Sequence, residues 1–498
     1  MKTKKFSVLL FTLILALGLF PMGVFAASTP VTANSTASIT INNAVENDVL
    51  KAYKVVDITY DATSNHVSYG WNSAFADYFA GTTSYNDTAY TVEGFATLTD
   101  DSAELKNVLA GLPKYIADKN IAVAKTATVG EGGTATFADL AMGEYFIRPS
   151  STTSVYQLML QKIEPKVEKD SEGNPHYVIE DVTFTAKKEE VTITKTADKT
   201  SVTKNEKVAY TVAVDIPTYS AEATDKTIYV SDLLPDGLTI DTASINVKID
   251  GADVNPTAYN LDTTATKDYT FKLSVSTQQY TNSWTNQGGN KLVITYTATL
   301  NNDNTTEVNV IETNTATFDY SFYPYVENSH KQKTDKVDVT TFAIKIDKYV
   351  AGSHATKLAD AKFDLYRTVT DAEMAAGVTE NIPHTTINGI KLESDVVTND
   401  SGVATFEKYE ANGTKYDYYL VETQAPHGYN ILAEAVKVNF TDAEATNGVY
   451  TVKVPNSSGI TLPITGDEGI VIFTVIGIAL MAGAVILFVL FRKKAKAN

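Results

Sequence analysis

The chain has no cysteine in 498 residues. Disulfides are excluded, although a secreted protein is free to use them. Either its domains are large enough to manage without cross-links, or another kind replaces them. Histidine is nearly absent too: there are six, scattered, and no two stand at metal-ligand spacing. The patterns G-x-S-x-G, H-E-x-x-H, the P-loop and the EF-hand are all missing. A D-x-S-x-S metal-adhesion motif is missing as well: Asp100-Asp101-Ser102 comes closest, but Glu104 occupies the final position. No metal or cofactor is expected. Positive charge is in short supply, with 41 basic residues against 59 acidic ones. An acidic surface repels nucleic acid and excludes it as a partner. Long helical patterns are few, whereas Tyr, Thr and Val abound, which favours strands.

Two apolar runs lie at the ends. Lys2, Lys4 and Lys5 precede the run 6–20, and Val24-Phe25-Ala26 fits a small-residue cleavage site. Residues 1–26 therefore read as a secretory signal peptide. Near the other end, an uncharged run from Ile470 to Phe491 is followed by Arg492-Lys493-Lys494-Ala495-Lys496. As a helix, 22 residues rise about 33 Å, enough to cross a bilayer, with the basic cluster left on the cytoplasmic side. Without residues 1–26 and 466–498 the chain keeps 34 basic and 57 acidic residues, a net charge of −23.

Between the ends, 439 residues suggest about three domains. In the first, 27–186, strand-like runs 38–43, 49–58, 143–147 and 156–160 surround one helix. Asp100-Asp101-Ser102 can cap that helix, and Leu105, Val108, Leu109 and Leu112 form its apolar face. Pro113 is expected to end or kink it. The second unit, 187–340, alternates at 191–195, 208–214, 227–230, 269–275, 292–300 and 315–320, with turns such as Pro235-Asp236-Gly237; this reads as a β-sandwich. Residues 323–339 are polar and read as a link between domains. The third unit, 341–460, is again strand-rich, with a short helix near 371–376.

Several motifs resemble one family. Leu462-Pro463-Ile464-Thr465-Gly466, just before the C-terminal run, resembles the LPXTG sorting signal of Gram-positive surface proteins. The resemblance implies that a sortase cuts between Thr465 and Gly466 and joins the Thr465 carboxyl to an amine; residues 461–498 form that signal. Tyr418-Tyr419-Leu420-Val421-Glu422-Thr423-Gln424-Ala425-Pro426-His427-Gly428-Tyr429 resembles the E-box of CnaB-type pilin and adhesin domains at every defined position. Ile344-Lys345-Ile346-Asp347-Lys348 and Val452-Lys453-Val454-Pro455-Asn456 extend the likeness to the ends of that domain. In such domains the first-strand Lys and last-strand Asn join side chain to side chain, and the E-box Glu catalyses it. The resemblance assigns Lys348, Asn456 and Glu422 to those roles. Of the two candidate lysines, Lys345 and Lys348 face opposite sides of a strand, and Phe342, Ile344 and Ile346 share the side of Lys348. Burial lowers the pKa of a lysine and raises that of a neighbouring acid, leaving a neutral amine able to attack.

The second unit is similar to CnaA-like domains. Asp232-Leu233-Leu234-Pro235-Asp236-Gly237-Leu238 and Asn314-Thr315-Ala316 resemble their motifs, which assigns Lys195 to Asn314 with Asp232 as the acid. The first unit departs from the pattern. Its Gly143-Glu144-Tyr145 strand resembles one leading into an E-box, but Pro149 occupies the position of the Glu, so no internal bond is expected. Val178-Ile179-Glu180-Asp181-Val182-Thr183-Phe184-Thr185-Ala186-Lys187 resembles a degenerate pilin motif, implying Lys187 as the linking lysine; Lys188 and Lys166 are the alternatives.

Together these features resemble a backbone (major) pilin of sortase-assembled pili. The implied fold is all-β: tandem immunoglobulin-like CnaA/CnaB-type sandwiches in an elongated array, the first with one helix. The implied partners are a class C pilin sortase, a housekeeping sortase, further copies of the chain, accessory pilins and peptidoglycan; no adhesion ligand is indicated. The resemblance implies a structural subunit with self-directed bond formation rather than an enzyme, secreted and held at the cell wall. A stand-alone wall-anchored adhesin and an accessory or basal pilin are the alternatives.

Overall fold

The computed structural model describes residues 31–99, 102–151, 154–284, 291–301, 310–410, 416–440, 444–446 and 448–458, together with 480, 481, 483 and 484. The signal segment, the LPITG pentapeptide and most of the C-terminal apolar run lie outside the described residues. Among the described residues no helix is long and apolar enough to cross a membrane.

Strands dominate, and their buried side chains gather into three large cores with a small satellite beside the last. The first core spans Val31 to Ala186. A five-stranded sheet centred on Val49–Asp61 and Gly143–Ser151 faces a three-stranded sheet in which Thr36–Asn42 pairs in parallel with Val182–Thr185. The helix Ala103–Asp118 covers this core, and the Ser102 side chain caps it by accepting from the Leu105 amide. Two single-turn helices, Ala76–Phe79 and Val92–Phe95, accompany it.

Pro113 does not end that helix. It lies inside, buried, and Tyr115 and Ile116 beyond it are buried as well. A proline in a helix interior costs roughly 3 kcal/mol, and burial of large side chains on both sides of it offsets that cost. The run expected at 156–160 is interrupted: Ser154–Tyr156 pairs with Lys188–Glu190, and a separate strand, Met159–Ile163, extends the main sheet.

The second core is a sandwich of two five-stranded sheets. One contains Ile193–Ala197, Lys207–Asp215 and Lys291–Leu300; the other contains Ile228–Leu233 and Ile311–Ser321. The stretch read as a linker belongs to this sandwich. His330–Thr340 pairs with Ile311–Ser321 over its whole length, and Tyr323, Tyr325 and Val339 are buried in the core. It is the last strand of its sheet, and its outer side makes scattered bonds, to Lys195, Thr200 and Val202, in place of a full ladder, so polar residues occupy most of it.

In the third core, five-stranded and four-stranded sheets pack together. Its first strand, Phe342–Val350, runs parallel to its last, Val449–Asn456. The short helix Asp371–Ala375 carries a reciprocal capping box between Thr370 and Glu373.

Candidate functional site: two buried lysine, acid and asparagine clusters

The third core holds Lys348, Glu422 and Asn456, with relative exposures of 0%, 2% and 1%. Register explains the meeting. Asn456 stands opposite Val350, two residues after Lys348, so the lysine and the asparagine share the inward face of a parallel pair. Glu422 reaches them from the facing sheet, where it stands opposite Phe363. The Lys348 amine donates to the Asn456 side-chain oxygen and lies 3.1 Å from Glu422 Oε1. Asn456 Nδ2 donates to both Glu422 oxygens, at 2.9 and 3.1 Å. The Leu432 amide donates to Glu422 Oε2 at 2.8 Å, fixing the carboxyl. The Phe363 ring lies 5.3 Å from the amine and keeps water away. Burial pushes the Lys348 pKa down, although Glu422 pulls the other way. Lys345, the competing lysine, is only partly buried and has no place in this cluster.

The second core repeats the theme with different parts. Lys195 is 4% exposed, Asp232 1% and Asn314 0%. Lys195 comes from one sheet. Asp232 and Asn314 come from adjacent strands of the other: Asp232 stands opposite Ala316, two residues from Asn314. The Asp335 carboxylate, on the edge strand, accepts from the Lys195 backbone amide at 2.7 Å and so fixes the lysine's strand. The lysine amine donates to Asp232 Oδ2. Burial drives the Lys195 pKa down and the Asp232 pKa up, in each case against the pull of the other.

A fourth residue joins this cluster. Tyr296 accepts from the Lys195 amine at 2.8 Å, donates to Asp232 Oδ1 at 2.9 Å and accepts from Asn314 Nδ2 at 2.8 Å. Its sequence context is an alternating strand in which Tyr296 and the stacked Tyr210 look alike as core residues, so no local signal sets it apart. Asn314 Oδ1 has no hydrogen-bond partner among the described residues.

What these arrangements can do chemically is limited. A buried ion pair costs several kcal/mol per ion, and moving the proton from amine to carboxyl removes both charges. In the third core the neutral amine then sits against a carboxamide with an acid beside it, the requirements for amide exchange; in the second, Tyr296 stands between the amine and the carboxamide.

The three candidate linking lysines differ. Lys187 is exposed and makes no ion pair among the described residues. It lies between Val182–Thr185 and Lys188–Glu190 and lines a cleft of about 520 Å³ between the first and second cores, with Leu105, Leu109, Leu158, Leu160, Glu222 and Tyr325. The Lys188 side chain is only 10% exposed and pairs with Glu190 at 3.1 Å. Lys166 pairs with Glu180 at 2.7 Å. Among the described residues the first core contains no buried lysine.

The architecture is that of a modular, multi-sandwich protein. Residues 342–455 match the SpaA prealbumin-like fold domain, and residues 454–496 match the LPXTG cell wall anchor motif. The chain is 25% identical over 448 residues to the type 1 fimbrial subunit of Actinomyces viscosus, covering 80% of each. Its fold is similar to that of the T6 backbone pilin of Streptococcus pyogenes, with a TM-score of 0.56 at 18% identity, over 86% of this chain and 100% of the other. It is similar also to the Corynebacterium diphtheriae major pilin SpaA, with a TM-score of 0.50 at 19% identity, over 85% and 100%. The chain thus resembles the backbone pilins of Gram-positive pili and carries a cell-wall anchor motif.

Proposed function

We propose that the chain is the repeating subunit of a covalent pilus, with two sandwiches locked by Lys195–Asn314 and Lys348–Asn456 isopeptide bonds. The observation that carries this reading is the burial of an amine, a carboxyl and a carboxamide together in each of two cores. An ordinary ion pair has no use for the third group. Lys348 passes a proton to Glu422 and attacks the Asn456 side-chain carbon; ammonia leaves. The second unit follows the same course with Asp232. Each event happens once, and the product is part of the structure.

Polymerisation uses other residues. A class C sortase cleaves after Thr465, and Lys187 of the next copy attacks the held carboxyl. Exposure and freedom from ion pairing favour Lys187 over Lys188 and Lys166. The contact is head to tail and does not close, so it makes a fibre. A housekeeping sortase then joins the fibre to peptidoglycan.

Intact mass spectrometry tests the internal bonds. Each releases one ammonia, so the purified ectodomain is expected to be about 34 Da light. Glu422→Ala is expected to restore about 17 Da of this, and Asp232→Ala the other half. An unshifted wild-type mass would sink both bonds. Detergent-resistant ladders on a denaturing gel, lost in Lys187→Arg, test the polymer. A single wild-type band would point to a stand-alone adhesin.

A further inference from the structure

The two clusters differ in how the acid meets the carboxamide. Glu422 touches Asn456 Nδ2 directly with both oxygens. Asp232 is one methylene shorter, and no hydrogen bond joins it to Asn314 among the described residues. The Tyr296 hydroxyl fills the interval, bonded to Asp232 Oδ1 on one side and to Asn314 Nδ2 on the other. It also accepts from the Lys195 amine, so one oxygen touches all three reacting partners.

We propose that Tyr296 is a catalytic residue of the second unit, through whose hydroxyl Asp232 delivers a proton to the departing nitrogen of Asn314. The proposal rests on the bond-forming reading above. The steps balance as follows. Lys195 first gives a proton to Asp232 Oδ2, leaving a neutral amine and a neutral acid. The amine attacks Asn314 Cγ, and the new N–C bond forms. The attacking nitrogen returns a proton to the carboxyl side while Asp232 supplies one to Tyr296 Oη, which passes its own hydrogen to Asn314 Nδ2. The Cγ–Nδ2 bond breaks and ammonia leaves, taking the acid's proton as ammonium when it reaches water. Tyr296 begins and ends as a neutral phenol. Burial holds its pKa far above the usual phenol range, so it carries the proton without becoming a phenolate.

The geometry supplies a reason for tyrosine here and none in the third unit. An aspartate set on the strand Ile228–Leu233 is fixed by its register, and a short side chain cannot follow the amide as it becomes tetrahedral. A phenol anchored in a stacked pair with Tyr210, ring centroids 5.3 Å apart, holds its oxygen in place on a rigid ring. In the third unit the longer Glu422 does the same work alone.

The test is Tyr296→Phe in the full ectodomain, followed by intact mass and peptide mapping over time after expression. The Lys348–Asn456 bond in the same molecule serves as an internal control for folding and detection. The expected result is a Lys195–Asn314 bond that forms at least about 100-fold more slowly, the usual worth of positioned proton transfer, with the third unit's bond unchanged. The discriminating variant is Asp232→Glu with Tyr296→Phe, in which the longer acid is expected to reach the amide and restore the bond. A packing role for Tyr296 predicts no such rescue, and its failure overturns the relay. A Tyr296→Phe protein that cross-links at the wild-type rate overturns it as well. A wild-type protein with no Lys195–Asn314 bond overturns the reading on which the proposal stands, and is told apart by needing no variant.

Discussion

At the scale of single residues, the chain buries charge where most proteins avoid it, and a partly buried histidine between two carboxylates is expected to give a pH dependence. His330 sits between two carboxylates, with Nδ1 2.5 Å from Asp319 Oδ1 and Nε2 3.1 Å from Asp225 Oδ2. Burial alone would lower the histidine pKa; the two carboxylates outweigh it and raise it to about 9. Burial likewise opposes ionisation of Asp225, yet bonds from His330 and Thr227 bring its pKa down to about 2. The surrounding groups are Gln332, which donates to Asp319, the Asn328 amide, which donates to Asp225, and the Tyr229 ring. A raised histidine pKa contributes stability that is full below its unfolded value of 6.5 and lost as pH rises through 9. The depressed Asp225 pKa contributes stability that is present above 3.8 and lost as pH falls through about 2. The thermal stability of the second unit is therefore expected to fall as pH rises from 6.5 to 9. His330→Gln is expected to flatten that slope. Calorimetry at several pH values checks it, and equal slopes would remove the histidine from the account.

At the scale of elements, the edge strand His330–Thr340 matters most. It supplies Asp335, which fixes the backbone at Lys195, and Val339, which is fully buried. Lys331, Lys333 and Lys336 would be ready trypsin sites in a linker. Paired along eleven residues to Ile311–Ser321, they are expected to resist cleavage until the second unit unfolds. Early cutting at any of them would mean that the strand opens locally. Truncating Val339 to Ala is expected to cost about 2 kcal/mol, read by urea unfolding of the second unit in an Asn314→Ala background that removes that unit's proposed cross-link.

At the scale of the whole molecule, the proposed bonds decide where stability and tension lie. They close loops of 119 residues (314 minus 195) and 108 residues (456 minus 348). By analogy with disulfide loop entropy each is worth roughly 5 kcal/mol. The first unit shows no buried lysine among the described residues and no such bond is expected in it, so it is expected to melt and to be digested first. In the proposed fibre, force would enter at Lys187 and leave at Thr465, crossing each sandwich through its proposed bond. The longest segment under load runs from Asn314 to Lys348, 34 residues (348 minus 314). Most of it is strand Ile311–Ser321 and its partner His330–Thr340, which would have to peel apart. At about 3.4 Å per residue it can extend by at most roughly 115 Å. Pulling between Lys187 and Thr465 is expected to show no longer step, and Glu422→Ala to add one from the third unit. A longer step in the unmodified protein would disprove the short cut.

Much of the fold is legible in the sequence. Alternation of apolar residues marks strands because a pleated chain turns every second side chain inward, and so the runs around Val208–Val214 and Leu292–Leu300 announce themselves. Glu422 is legible for a further reason, since the E-box is a long motif with little freedom, and Lys348 because it shares a strand face with Ile344 and Ile346. Other features depend on neighbours that lie far away along the chain. The strand His330–Thr340 reads as a linker because an edge strand needs few apolar residues and declares itself only through its partner. Helix Ala103–Asp118 runs through Pro113 because the core beneath it rewards continuation. Tyr296 reads as one more core tyrosine; its place between Asp232 and Asn314 comes from two sheets meeting face to face, and no run of residues along one strand encodes which side chains the opposite sheet will present to it.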